Sequence, residues 1–325
     1  MMQIAFVFLA GSSLLAADWD RAKALHYLDA RQQQWADWKP AQRAGGPCLS
    51  CHTGIAYMLG RRAIGGQKRH PMENLLIDGV KERIAMTPPK TMFPDPGPES
   101  ILALLTLSFR RQQTSDPLDA ADRTALESLW RNQLPSGTWT WFVNGLDPVD
   151  TEKSNFYAAS LAELALSKYP NQEHAKRRAL RQFIQREAPT QPLHNQLAWI
   201  AFDARKEKQQ RSTVLKRLWS LQSTDGGWTT AALGPWGPHP DAPPDKGSNA
   251  YATAWAAFAA RQAGVDCNDK RLRKALAWLR THQDPATGAW NSVSMNQVYK
   301  PGSIQLGFMT DAATGFAVAA LASCP

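Results

Sequence analysis

The sequence predicts an all-α chain: an α/α toroid of alternating inner and outer helices, with a small helical module at its N-terminal side. Three observations carry that expectation. A helix end, a Gly-containing turn and a tryptophan recur as LWRNQLPSGTW (129–139), LWSLQSTDGGW (218–228) and LRTHQDPATGAW (279–290). In each copy Leu stands four residues before Gln and Gly two before Trp: Leu129/Gln133 and Gly137/Trp139, Leu218/Gln222 and Gly226/Trp228, Leu279/Gln283 and Gly288/Trp290. Self-similarity at a spacing of tens of residues marks a repeat architecture. The helices after the tryptophans also resemble one another: SNFYAASLAELAL (154–166), SNAYATAWAAFAA (248–260) and, more loosely, DAATGFAVAALA (311–322). Alternating apolar and polar residues and β-branched runs are too scarce to propose a sheet.

Taken in order, residues 1–17 read as a signal peptide. Ile4 to Ala10 is apolar and Ser12 to Ala17 small, with cleavage expected near Ala16 or Ala17 and a periplasmic or otherwise exported product. Trp19, Ala22, Leu25, Leu28 and Trp35 recur at helical spacing over 18–38, and Pro40 with Gly45-Gly46-Pro47 ends that helix. A short helix is expected over 74–86. Pro88-Pro89, Pro94, Pro96 and Pro98 then mark a loop and a boundary, dividing a module over 18–97 from a toroid over 98–325. Beyond it the expected helices are 98–112, 117–133, 153–168, 172–187, 192–206, 210–222, 248–263, 268–283 and 309–323. Ala-rich helices with few charges suit inner positions, whereas the basic helices 172–187 and 210–222 suit outer ones with a wet face. Two non-helical inserts, 230–247 and 291–305, have the length of lids or rims.

The net charge is +9, in short clusters such as Lys176-Arg177-Arg178 and Lys206 to Lys216. Solvated helix faces are the simple reading; an acidic redox partner protein or an anionic membrane surface is the sharper one. Aromatic and basic residues do not interleave in the manner of nucleic-acid binders, so no nucleic-acid partner is expected. The N-terminal apolar run is too short to span a bilayer, and no transmembrane span is expected elsewhere.

Four cysteines need explaining. Cys267 and Cys324 are either a disulfide or two separate buried thiols. Cys48-Leu49-Ser50-Cys51-His52 is the c-type haem attachment signature. The chemistry needs this spacing, because two thiols add across two haem vinyl groups and the adjacent histidine becomes the iron ligand. A thioredoxin-like redox pair would need a βαβ context, and a zinc site would need a second half. Haem c, covalently held by Cys48, Cys51 and His52, is the expected cofactor. Met92 in TMFPDP is the expected second axial ligand, with Met58, Met72, Met86 and His70 as competitors. Met-x-Pro followed by a helix is similar to the small class I cytochromes c. On that resemblance helix 18–38, CLSCH, Met92 and helix 98–112 make one compact cytochrome-c-like module. The rival reading gives helix 98–112 to the toroid and leaves 18–97 as a minimal, partly open haem module.

The Gln-turn-Gly-Trp motif is similar to the QW repeats of terpenoid cyclases, the squalene–hopene type included, and of the β-subunits of protein prenyltransferases. The resemblance covers 98–325. It implies an α/α barrel around a central, aromatic-lined cavity for a hydrophobic, isoprenoid-like ligand, with the Gln and Trp side chains as staples between helices. The families' catalytic parts do not carry over. DxDD is missing, the nearest acidic runs being LDAAD (118–122) and LDPVD (146–150). Asp266-Cys267 lacks the Asp-x-Cys spacing of the prenyltransferase zinc site. The nine helices counted from 98 on also fall short of a complete barrel's twelve, unless the N-terminal segment or further helices supply the rest. CLSCHT followed by such repeats resembles a type of exported bacterial protein.

The leading expectation is therefore an exported haem protein doing redox or electron-transfer work on or beside a hydrophobic ligand. The alternatives are an isoprenoid cyclase or transferase, which needs an acid inside the cavity, and a non-catalytic binding scaffold. Asn155, Tyr157, Asn249, Tyr251 and Asp311 stand near the starts of inner helices, where they serve either a cavity mouth or helix caps. Trp236 and His239 sit in the Pro-rich insert, as parts of a lid.

Overall fold

The computed structural model describes residues 18–43, 45–64, 69–86, 95–111, 115–170, 174–203, 208–236 and 239–324. Residues 1–17 and Met92 lie outside them. Twelve α-helices are present among the described residues. They are α1 (Arg21–Asp37), α2 (Gly54–Ile64), α3 (Pro71–Ala85), α4 (Pro96–Arg110), α5 (Ala120–Arg131) and α6 (Ser154–Leu166), then α7 (His174–Glu187), α8 (Leu193–Phe202), α9 (Lys208–Ser220), α10 (Ala250–Gln262), α11 (Lys270–Thr281) and α12 (Phe308–Ala322). A two-residue antiparallel pair, β1 (Gln42–Arg43) with β2 (Gly46–Pro47), precedes the first cysteine.

The even-numbered helices are the inner ones, packed in the order α4–α6–α8–α10–α12–α2, and each leans on an odd-numbered outer helix. The alternation read from the repeats is therefore present and extends further. The helices expected to form a small module over 18–97 join the ring: α2 packs along α12, α1 against both, and α3 against α4. Those three helices complete the twelve. Of them α2 is the one sequence periodicity missed, because GIAYMLGRRAI carries two glycines and lies in a Gly- and Pro-rich stretch. Its glycines are what permit the contact. A Cβ on Gly315 of α12 would sit 2.3 Å from the Ala56 carbonyl oxygen, and one on Gly60 would sit 3.0 Å from that of Gly315.

The three repeated turns have one geometry. The indole N–H of Trp139, Trp228 and Trp290 donates to the carbonyl of Leu129, Leu218 and Leu279 at 2.8, 3.0 and 2.7 Å. Each glutamine amide donates to two carbonyls. One belongs to the glycine of its own turn; the other belongs to the next outer helix, at Lys176 for Gln133 and Arg271 for Gln222. At the third site the glutamine also accepts: Gln283 Oε1 takes the Asp20 N–H at 2.7 Å while its amide donates to the Asp20 carbonyl at 3.0 Å. Asp20 is the N-cap of α1, so the last staple joins the last repeat to the first helix.

The turn glycines are needed twice over. Gly288 has φ +78°, where a side chain costs energy, and a Cβ there would lie 2.5 Å from the Lys23 backbone carbon. Gly302 has φ +77° with open space around it. Gly302→Ala is expected to cost about 1 kcal/mol, the left-handed penalty alone. Gly288→Ala is expected to cost about 3 kcal/mol, since displacement of α1 is added. Urea midpoints of the two variants measure the difference, and equal losses would refute the close approach.

Between α8, α10 and α12 the interior is filled. Trp255 and Phe316 pack with centroids 4.7 Å apart and planes tilted by 56°, and Phe258 and Phe202 pack around them. Aromatic rings line this part of the centre as expected, but against one another instead of around a cavity. Cys267, before α11, and Cys324, after α12, form a disulfide with Cα atoms 5.6 Å apart. The stretch Ile304–Ala322 is long and apolar enough to cross a membrane by length and composition alone, and 67% of its apolar window is buried inside the fold, as in a core helix.

Candidate functional site

The two long inserts share one pocket, the loop before α6 shares another with Trp236, and CLSCH shares a recess with that same loop. Residues 48–53 lead into α2. The Ser50 hydroxyl accepts from the Thr53 and Gly54 N–H groups at 3.1 and 2.9 Å, capping that helix. The Trp35 indole donates to the Cys48 carbonyl at 2.7 Å, tying the loop to α1. The His52 ring stacks on Phe308, at the start of α12, with centroids 3.6 Å apart and planes 16° apart. Trp35 meets the same ring edge-on at 5.2 Å.

Cys48, Cys51 and His52 line one recess of about 190 Å³ with Trp35, Phe142 and Asp150. Neither cysteine is in a disulfide. Burial pushes the Cys51 thiol well up, helped by the Asp150 charge and Cys48. Burial depresses His52 to about 3, with the Arg31 charge adding to it. Burial raises Asp150 to about 6 against a hydrogen bond from Asn144.

Asp311 is 1% exposed and ties three helices together. Its carboxylate accepts from Arg31 Nε at 2.6 Å and Nη2 at 3.0 Å, from the Tyr27 hydroxyl at 2.9 Å and from the Thr53 hydroxyl at 2.7 Å. Thr53 Oγ1 in turn lies 3.0 Å from His52 Nδ1. Sequence reasoning singled out Asp311 but missed Arg31 and Tyr27, whose spacing of four on α1 puts them on one helix face.

The remaining expectations divide. Asn249 is a helix cap, accepting from the Ala252 N–H at 3.0 Å. Tyr251 meets His194 Nε2 at 2.8 Å, and the Tyr157 ring lies 5.7 Å from that imidazole. The Asn155 carbonyl accepts from Thr138. Trp236 stands edge-on to His194 and lines a separate 610 Å³ pocket between the two inserts, with His239, Pro243, Val293 and Met295. Met58 is fully buried and His70 caps α3. Among the described residues no group of three His, Cys, Asp or Glu is placed together as a bare metal ion would need.

His194 was missed by sequence reasoning. It is 1% exposed and burial depresses it to about 4 from 6.5. A folded pKa below the unfolded one means that protons bind the unfolded chain preferentially, so stability is full above 6.5 and is lost as pH falls towards 4. His194→Gln should lose about 2–3 kcal/mol less than the parent between pH 7 and 4.5. Urea unfolding at the two pH values measures this, and parallel losses would refute it.

No family model matches the chain, and no curated protein does. Solved structures do. A possible member of the GH105 family from Salmonella enterica subsp. enterica serovar Paratyphi A aligns at TM-score 0.53 and 13% identity, covering 94% of each chain. A UGL variant with dGlcA-Glc-Rha-Glc aligns at TM-score 0.55 and 12% identity, covering 92% of this chain and 94% of that one. The ent-copalyl diphosphate synthase from Streptomyces platensis, at TM-score 0.34, shares 17% identity over 93% of this chain and 50% of its own, and that score carries no weight. At these identities the likeness is one of fold: an α/α toroid.

Proposed function

We propose that the chain is an exported c-type haem protein working in electron transfer at the mouth of an α/α toroid. One observation carries this reading: the two thiols of a CxxCH motif and its imidazole line a single recess. The donor set suits haem. The recess, about 190 Å³, is smaller than the roughly 300–1,000 Å³ of pockets that enclose drug-sized ligands, so it suits an attachment point better than an enclosure. Cys48 and Cys51 would hold the group through thioether bonds and His52 would ligate its iron; Met92 remains the proposed second ligand. The group would supply one-electron chemistry. Phe308 fixes the plane of the imidazole by covering one face, and Trp35 packs against the ring near-perpendicular.

Two proposals accompany this one. A hydrophobic ligand suits the 610 Å³ pocket beside Trp236, whose walls include Pro235, Pro240 and Val293. An acidic redox partner suits a chain of net charge +9. The cyclase alternative keeps a toroid, but its candidate acid, Asp311, accepts four hydrogen bonds and is paired to Arg31, leaving no proton to donate.

The test is expression of the whole chain in a host that matures c-type cytochromes, followed by a pyridine haemochrome spectrum of the denatured protein. Covalent haem on the parent chain, lost in the variant carrying Cys48→Ser and Cys51→Ser, is the expected result. A parent chain without covalent haem overturns the reading.

A further inference from the structure

The hydrogen bonds around Thr53 fix more than the position of the loop. Asp311 is paired with Arg31 and has no hydrogen to give, so at the 2.7 Å contact the Thr53 hydroxyl must donate. A hydroxyl has one hydrogen. At its other contact, 3.0 Å from His52 Nδ1, Thr53 can therefore only accept, which requires that Nδ1 carry the proton. The lone pair of the neutral ring is then on Nε2.

We infer that Thr53 and Asp311 are positioning residues that lock His52 in the Nδ1–H tautomer, so that it ligates through Nε2. This rests on the haem reading for the identity of what is ligated, not for the tautomer itself. The chain of contacts runs from α2 through α12 to α1: His52, Thr53, Asp311, Arg31. Arg31 orients the carboxylate with two N–H groups, and its Nη2 also donates to the Ile304 carbonyl at 2.8 Å. The Phe308 stack fixes the plane of the ring, and the Thr53 contact fixes which edge Nδ1 takes within that plane. The ligand's orientation is thus set by the contact between the first two helices and the last one, and not by the CxxCH loop alone. Outer hydrogen bonds of this kind orient a ligating imidazole and raise its basicity.

The experiment has two arms. In the first, the full chain made without haem and labelled with ¹⁵N is read by long-range ¹H–¹⁵N correlation, which separates the two tautomers. His52 is expected as Nδ1–H in the parent chain and in Thr53→Ser, which keeps the hydroxyl. In Thr53→Val the Nδ1–H signal is expected to be lost in favour of Nε2–H. In the second arm, Thr53→Val in the haem-loaded chain should weaken ligation by His52 about 10- to 100-fold, the range for loss of an outer hydrogen bond, read as easier displacement by added imidazole. An Nε2–H signal in the parent chain, or no change in Thr53→Val while Thr53→Ser stays folded, overturns the inference. Absence of haem with the Nδ1–H tautomer present overturns the proposed function and leaves the lock standing.

Discussion

Asp311→Ala is expected to destabilise the protein by about 3–5 kcal/mol, the range for removing one partner of a buried ion pair. The substitution leaves the Arg31 guanidinium, whose side chain is 12% exposed, without its carboxylate. It also leaves the Tyr27 and Thr53 hydroxyls without the acceptor that each now has. A buried charge is far costlier unpaired than absent, so Arg31→Met combined with Asp311→Ala should recover part of the loss. Urea unfolding of the parent, the single variant and the double variant makes the measurement. A loss below about 1 kcal/mol for Asp311→Ala would place the pair among solvent-screened surface bridges and refute its role in joining α1 to α12.

Trp228→Ala should cost a similar amount, about 3–5 kcal/mol, by a different route. Trp228 is fully buried, and its indole N–H supplies the Leu218 carbonyl at the end of α9 with a partner. Truncation therefore opens a cavity and leaves a helix-end carbonyl unsatisfied in the same place. Trp228→Phe separates the two terms: it fills most of the volume but brings no donor, and about 1–2 kcal/mol should be lost. Gln222→Ala should also be mild, about 1 kcal/mol, because its amide bridges two carbonyls at the exposed edge of the ring. Denaturant midpoints of the three variants should rank in that order. A Trp228→Phe loss as large as that of Trp228→Ala would show the hydrogen bond, not the packing, to be dominant.

Those staples were legible because they are local. Leu218, Gln222, Gly226 and Trp228 lie close together in sequence, and part of what each does, the indole bond to Leu218 and the glutamine bond to Gly226, is done within that stretch. The final staple was not, because Asp20 and Gln283 are 263 residues apart and nothing near Asp20 repeats the motif. The same distinction holds at the site. Cys48, Cys51 and His52 announce themselves by spacing, whereas the groups around them come from α1 and α12 and from the loop holding Asp150. Asp311 was picked out for its place at a helix start, but that place says nothing about Arg31. Helix α2 was overlooked because it lies in a Gly- and Pro-rich stretch and carries Gly54 and Gly60 itself, which reads as loop. Met92 lies outside the described residues.

The packing of α2 along α12 has a consequence for the order of events in synthesis. A chain made from its N-terminus exposes CLSCHT long before Phe308 and Asp311 exist, with 258 residues separating Thr53 from Asp311. Until the last helix arrives, His52 has neither its stacking partner nor the carboxylate that engages its neighbour. Contacts of such sequence separation are made late, after local helix pairs have formed. The recess that holds the two thiols takes Trp35, Phe142, Val149 and Asp150 from elsewhere in the chain, all made well before α12, so the imidazole is the last part of the motif to be seated.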